Sequence, residues 1–177
     1  MTERLILITG GARSGKSTKA LALAAPYSEK VFVATAQALD DEMRARIDRH
    51  RAERGESWKT IEEPLDLARA MQVDPGAVAI VDCLTLWLSN AMEANIDIEG
   101  ALDDFITVAR QRRAPVIVVT NEVGMGIVPI YESARRFRDL AGITNQRMAA
   151  AADVVWLIVC GLGMQVKPLP APVLDLS

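Results

Sequence analysis

The stretch Gly10-Gly11-Ala12-Arg13-Ser14-Gly15-Lys16-Ser17 constrains this chain more than any other. It fits the pattern of a glycine, four free positions and then Gly-Lys-Ser, which marks a phosphate-binding P-loop. Glycines let the main chain wrap closely around an anion with its N–H groups turned inward. A helix beginning near Lys16 directs the positive end of its dipole at the same point. Lys16 can then reach the outer phosphates of a nucleoside triphosphate, and the Ser17 hydroxyl can coordinate Mg²⁺. The flanks agree with this. Arg4 to Thr9 holds a short apolar run suited to a buried strand, and Ser17 to Ala25 is rich in the helix formers Ala and Leu. A flexible Gly/Ser turn would account for the glycines but not for the strand before them and the helix after.

A chain of 177 residues suits one domain with a sizeable core. Its net charge of −3 supplies no global basic field for nucleic acid. Cys83 and Cys160 lie in or beside apolar runs without a CxxC pair, and they read as small buried thiols in a reducing compartment. The first residues lead directly into a strand, without the marks of a secretory signal. Met148 to Met164, the most apolar stretch, contains Asp153 and is too short to span a membrane. A cytoplasmic protein is the expectation.

Strand-length apolar runs recur at Leu5 to Thr9, Val31 to Thr35, Val78 to Val81, Val116 to Thr120 and Val154 to Val159, with helix-like stretches between them. That alternation predicts an α/β domain of the P-loop NTPase type, a mainly parallel sheet with helices on both faces. Trp58 to Glu62 can add a short strand, and Gln165 to Lys167 an antiparallel edge strand. From about Pro168 the Pro-rich tail should run over the surface. In such sheets ligands bind at the carboxyl ends of the strands, so the residues just after each strand are the candidates for chemistry.

After the second strand come Thr35, Ala36 and Gln37, and then Asp40, Asp41 and Glu42, which capping explains well enough. The helix expected from Asp41 to about Arg54 carries five arginines and the single histidine, His50. Met43, Ile47 and His50 share one face by spacing, with Arg54 one turn on. A solvated basic helix explains this composition. So does a phosphate site in which neighbouring arginines keep His50 unprotonated, as base or nucleophile, and stabilise charge on an attacked phosphate. Val78 to Val81 followed by Asp82 fits a strand whose terminal acid holds Mg²⁺ beside Ser17. Asn121 to Pro129, with two glycines and a proline after a strand, is either a substrate loop or a connector.

Taken together, several stretches resemble one family. They are the P-loop, Ala34-Thr35-Ala36, Arg46-Ile47 with His50-Arg51, Trp58 with Glu62-Glu63-Pro64, and Asp82-Cys83-Leu84-Thr85. Thr120 to Gly124 with Gly126 to Pro129, and Phe137-Arg138-Asp139 with Asn145-Gln146, complete the set. Over about residues 4 to 167 the chain resembles the bifunctional adenosylcobinamide kinase/adenosylcobinamide-phosphate guanylyltransferases of cobalamin biosynthesis. The resemblance implies phosphorylation of adenosylcobinamide by ATP or GTP, then transfer of GMP from GTP through a histidine–GMP intermediate. It places the guanylylated histidine at His50. It places nucleotide contacts at Gly10, Gly11, Ala12, Arg13, Ser14, Gly15, Lys16 and Ser17, at Ala34, Thr35 and Ala36, at Arg51, Ala52, Glu53 and Arg54, and at Glu62 and Asp82. It also implies a homo-oligomer, a trimer, with nucleotide and corrinoid substrates, and Mg²⁺ on Ser17 and Asp82. The chain departs from the family at Gly55, where relatives carry Pro, and at Glu132-Ser133-Ala134. Two other functions remain compatible with the motifs alone: a simple P-loop small-molecule kinase, and a regulatory NTPase.

Overall fold

A computed structural model describes residues 4–37, 41, 44 and 57–168. The helix expected over Asp41 to Arg54, including His50, Arg51, Ala52, Glu53 and Arg54, lies outside the described residues apart from Asp41 and Arg44. So does the tail after Pro168.

Each expected apolar run is a strand: β1 (Leu5–Gly10), β2 (Lys30–Ala34), β4 (Val78–Asp82), β5 (Val116–Val119) and β6 (Val154–Val159). Between β2 and β4 lies the short β3 (Lys59–Glu62), and after β6 comes β7 (Leu162–Lys167). The helices are α1 (Lys16–Ala24), α2 (Leu67–Ala70), α3 (Leu84–Glu93), α4 (Ile98–Gln111) and α5 (Glu132–Ala151). All seven strands form one sheet in the order β3-β2-β4-β5-β1-β6-β7. Every neighbouring pair is parallel except β6 with β7.

The continuous apolar runs make sense because the sheet is covered on both faces. Leu5, Leu7, Val31, Val33, Ala79, Val81, Val116 and Val118 pack with Trp87 and Leu88 of α3, Leu102 and Phe105 of α4 and Met148 of α5. The alternate residues Ile6, Ile8, Phe32, Ile80, Ile117 and Val119 face the other way, onto Ala20 and Ala24 of α1. In α4, Leu102, Phe105 and Ala109 recur at helical spacing and are fully buried, while the Asp97 side chain accepts from the Gly100 N–H to cap its start.

β7 begins earlier than expected, at Leu162, because Cys160 (φ 52°) and Gly161 (φ 81°) make a two-residue turn that reverses the chain. That turn also corrects one expectation. Cys83 is buried, but Cys160 is exposed, since a hairpin tip has no second layer above it.

β1 lies between β5 and β6, where the chain, having built the sheet outward to one side, crosses to the other. Such a switch point leaves a crevice at the carboxyl ends of the strands.

Candidate active site

The P-loop sits in that crevice, and its geometry is set by close backbone approach. Gly10 has φ 149°, and a Cβ there would lie 2.3 Å from the carbonyl oxygen of Ile158 on β6. Gly15 has φ 101°, and its Cβ would meet the Gly161 Cα at 3.4 Å. The Gly161 N–H donates to the Ser14 carbonyl at 2.9 Å. The loop is therefore braced from beneath by β6 and the β6–β7 turn.

Gly15 is the residue before α1, no side chain caps that helix end, and its first turn holds no acid. The helix thus presents its amino end and the positive end of its dipole to the crevice. Within the same loop the buried Ser14 Oγ has no hydrogen-bond partner among the described residues. A buried hydroxyl without a partner is a rare and costly arrangement. Together these groups form a cradle suited to phosphate oxygens. Lys16 is buried, and its Nζ donates to the Gly11 carbonyl at 2.6 Å, so the ammonium is folded over the loop.

Asp82 ends β4, and its Oδ2 accepts from Ser17 Oγ at 2.9 Å. The fold therefore brings these two side chains into contact. A hydroxyl and a carboxylate are hard oxygen donors, which suit Mg²⁺ when phosphate oxygens and waters complete its shell. Among the described residues there is no cluster of three or more His, Cys, Asp or Glu side chains that could hold a metal ion.

The residues around Asp82 fix its position. Thr35 is fully buried; its hydroxyl donates to the Cys83 carbonyl and accepts from the Cys83 N–H, both at 2.8 Å. Its own N–H donates to the Asp82 carbonyl at 3.3 Å. The Thr35 side chain is thus spent on holding the end of β4 in place. Ala34 and Ala36 flank it at the end of β2, beside Asp82 in the sheet register. Glu62 ends β3 at the outer edge of the sheet, with three strands between it and β1.

Several side chains here were given no individual role by the sequence, and Asn90 was not named at all. The Asn90 side chain donates to the carbonyls of Thr35 (2.8 Å) and Pro64 (3.2 Å), tying α3 to the end of β2. Asn121 donates to the Thr85 hydroxyl at 2.8 Å, and Asn145 on α5 donates to the Asn121 carbonyl at 3.2 Å. Glu63 is buried and accepts from the N–H groups of Leu65 and Asp66 and from Arg69. Burial raises its pKa, but those hydrogen bonds together outweigh it and hold the carboxyl below its ordinary value of 4.5. Asn121 and Glu63 stand just after strand ends, whereas Asn90 and Asn145 lie inside α3 and α5.

The loop after β5 leaves the crevice beside the P-loop: the Glu122 N–H donates to the Gly10 carbonyl at 3.1 Å. Beyond it the chain exposes Met125 (84%), Ile127 (97%) and Ile130 (89%).

Comparison with known proteins adds to this geometry. The profile of the family described as cobinamide kinase / cobinamide phosphate guanyltransferase matches residues 6–166. The chain is 43% identical to the bifunctional adenosylcobalamin biosynthesis protein CobU of Escherichia coli, covering 92% of this chain and 99% of that one. It is 42% identical to the bifunctional adenosylcobalamin biosynthesis protein CobP of Pseudomonas aeruginosa, covering 93% and 98% respectively. Among solved structures it is similar to the RadB recombinase, with a TM-score of 0.52 at 19% identity, covering 87% of this chain and 73% of that one. A KaiC-like protein from Pyrococcus horikoshii matches with a TM-score of 0.51 at 15% identity, covering 89% and 73%. At such identities the structural likeness speaks to the fold alone.

Proposed function

The chain belongs to the cobinamide kinase / cobinamide phosphate guanyltransferase family, and from that premise we propose a two-step reaction on one P-loop domain. In the first step ATP or GTP phosphorylates the aminopropanol hydroxyl of adenosylcobinamide. In the second, His50 takes GMP from GTP and passes it to the new phosphate, giving adenosylcobinamide-GDP.

The observation that carries the phosphoryl-transfer half is the Ser17–Asp82 hydrogen bond beside the buried Lys16. In that step the acceptor oxygen bonds to the γ-phosphorus as the bond from γ-phosphorus to the bridging oxygen breaks, and the electron pair leaves on the diphosphate. The loop N–H groups and Lys16 hold the phosphate oxygens where negative charge is redistributed. Ser17 and Asp82 would hold Mg²⁺, which neutralises charge on the β- and γ-oxygens when bound.

In the guanylyl half, an imidazole nitrogen of His50 attacks the α-phosphorus and pyrophosphate leaves. A phosphate oxygen of adenosylcobinamide phosphate then displaces the histidine. The arginines Arg51 and Arg54, close in sequence, suit the stabilisation of that phosphorus centre. Support for His50 comes from the family and from its being the only histidine in the chain.

A homo-oligomer, a trimer by family resemblance, belongs to the same proposal, and the exposed Met125, Ile127 and Ile130 support it. Among the described residues no helix is long and apolar enough to cross a membrane.

The test is incubation with Mg²⁺ and GTP labelled at the α-phosphate, followed by denaturation. The expected result is protein-bound label that is acid-labile, alkali-stable and absent from His50→Ala. A wild type that turns over but never carries label would remove the histidine step. It would leave a simple P-loop kinase.

A further inference from the structure

Phosphorylation of an alcohol needs a group to accept the hydroxyl proton, and the P-loop, Lys16 and Ser17 supply none. Among the described residues, the carboxylates that end or closely follow β3, β4 and β5 are Glu62, Glu63, Asp82 and Glu122. Asp82 is bonded to Ser17 in the metal position. Glu63 is committed to Leu65, Asp66 and Arg69. Glu62 stands at the end of β3, four strand spacings from β1, or about 19 Å across the sheet. Glu122 differs from all three. It follows β5, which pairs directly with β1, and its N–H is bonded to Gly10, the first residue of the P-loop.

From this we infer that Glu122 is the general base of the kinase step, an inference that rests on the phosphoryl transfer proposed above. One carboxylate oxygen, Oε1, accepts from the Gly124 N–H at 2.6 Å, which fixes the group within its own loop. The other oxygen, Oε2, has no hydrogen-bond partner among the described residues and is free to accept from the acceptor hydroxyl. As the acceptor oxygen bonds to the γ-phosphorus, its proton passes to Glu122 Oε2. The bond to the bridging oxygen breaks, and the nucleoside diphosphate departs with the electron pair. Glu122 afterwards returns the proton to solvent. The second half-reaction, in which His50 attacks the α-phosphorus, does not use this group.

Glu122→Gln separates this role from a structural one, because its amide oxygen still accepts from the Gly124 N–H. In single-turnover phosphorylation of adenosylcobinamide we expect a fall of about 10²- to 10⁴-fold, the usual worth of general-base catalysis. Nucleotide Kd and the rate of His50 labelling by α-labelled GTP should stay within about threefold of wild type. Glu122→Asp, which keeps a carboxylate on a shorter arm, should recover part of the rate. A Glu122→Gln enzyme that phosphorylates within about threefold of wild type overturns the inference. So does one whose labelling and nucleotide binding fall in parallel with its kinase rate. A wild type with no kinase turnover at all removes the proposed function and the role of Glu122 with it.

Discussion

Ser17 Oγ donates to Asp82 Oδ2 at 2.9 Å, joining the first turn of α1 to the end of β4 across 65 residues of sequence. The pair is held ready by the fold, with the Thr35 hydroxyl bridging both polar groups of the next residue, Cys83. Asp82→Asn keeps the shape and removes the charge. It should raise the Mg²⁺ concentration for half-maximal activity by about 10- to 100-fold, the usual cost of losing a group that supports a metal. A Mg²⁺ titration of kinase activity checks this, and an unshifted midpoint would count against the metal role.

Lys16 and His50 should divide the two half-reactions. Lys16→Ala removes the charge folded over the P-loop and should lower phosphoryl transfer by about 10²- to 10³-fold. His50→Ala should keep phosphoryl transfer and lose protein labelling altogether. Assaying both variants in both half-reactions gives the comparison. Equal loss of both activities in His50→Ala would point to damaged structure instead.

Gly10 and Gly11 offer a contrast between neighbours. Gly10→Ala forces a Cβ to within 2.3 Å of the Ile158 carbonyl at a φ that L-residues rarely adopt, whereas a Cβ on Gly11 meets nothing within 4 Å. Strain of that kind costs on the order of 1–3 kcal/mol where the surroundings cannot give way. Gly10→Ala should therefore lose stability by at least that much and bind nucleotide weakly, and Gly11→Ala should fold like wild type. Chemical denaturation and nucleotide titration read out the two effects.

Arg112 is almost wholly buried and donates to the carbonyls of Met71, Val73, Asp74 and Ala77. It closes the turn between α2 and β4, at the amino end of β4. Arg112→Met should leave four carbonyls without their donor and destabilise by about 3–5 kcal/mol. The urea midpoint should fall with little change in slope, while nucleotide Kd, measured where the variant is folded, stays close to wild type.

Glu63 predicts a pH dependence. Its carboxyl titrates below 4.5 when folded, although burial alone would raise it, because the Asp66 and Leu65 N–H groups and Arg69 favour the charged form. A lowered folded pKa means that the contribution to stability is present above the unfolded value and lost as pH falls through the folded one. The stability gap between wild type and Glu63→Gln should thus be constant near neutral pH and close below about 4.5. Urea midpoints of both proteins from pH 7 to pH 3 measure it. A gap that widens on acidification would contradict the assignment.

Much of this was legible beforehand because it depends on local rules. An apolar run that ends in a glycine-rich loop and then a helix former has few ways to fold, and β1, the P-loop and α1 appear where expected. Asp82 was readable for the same reason, as an acid at the end of a buried strand. The rest depends on contacts that sequence spacing does not encode. Cys160 sits beside an apolar run yet is exposed, since burial is decided by what packs above a residue, and a hairpin tip has nothing above it. Thr35 marks the right place, but its side chain faces the Cys83 backbone, a pairing 48 residues away in sequence. Asn90 and Arg112 look like ordinary surface residues until segments far apart in the chain come together around them.

The contact of Ile158 and Gly161 with the P-loop has a consequence for the order in which the molecule can be made. The loop precedes in the chain the strand and turn that brace it, with β2 to β5 lying between them. A nascent chain that stops before β6 carries the complete phosphate-binding motif without the strand that shapes it. The nucleotide site is therefore finished only once β6 and the turn after it have joined the sheet beside β1.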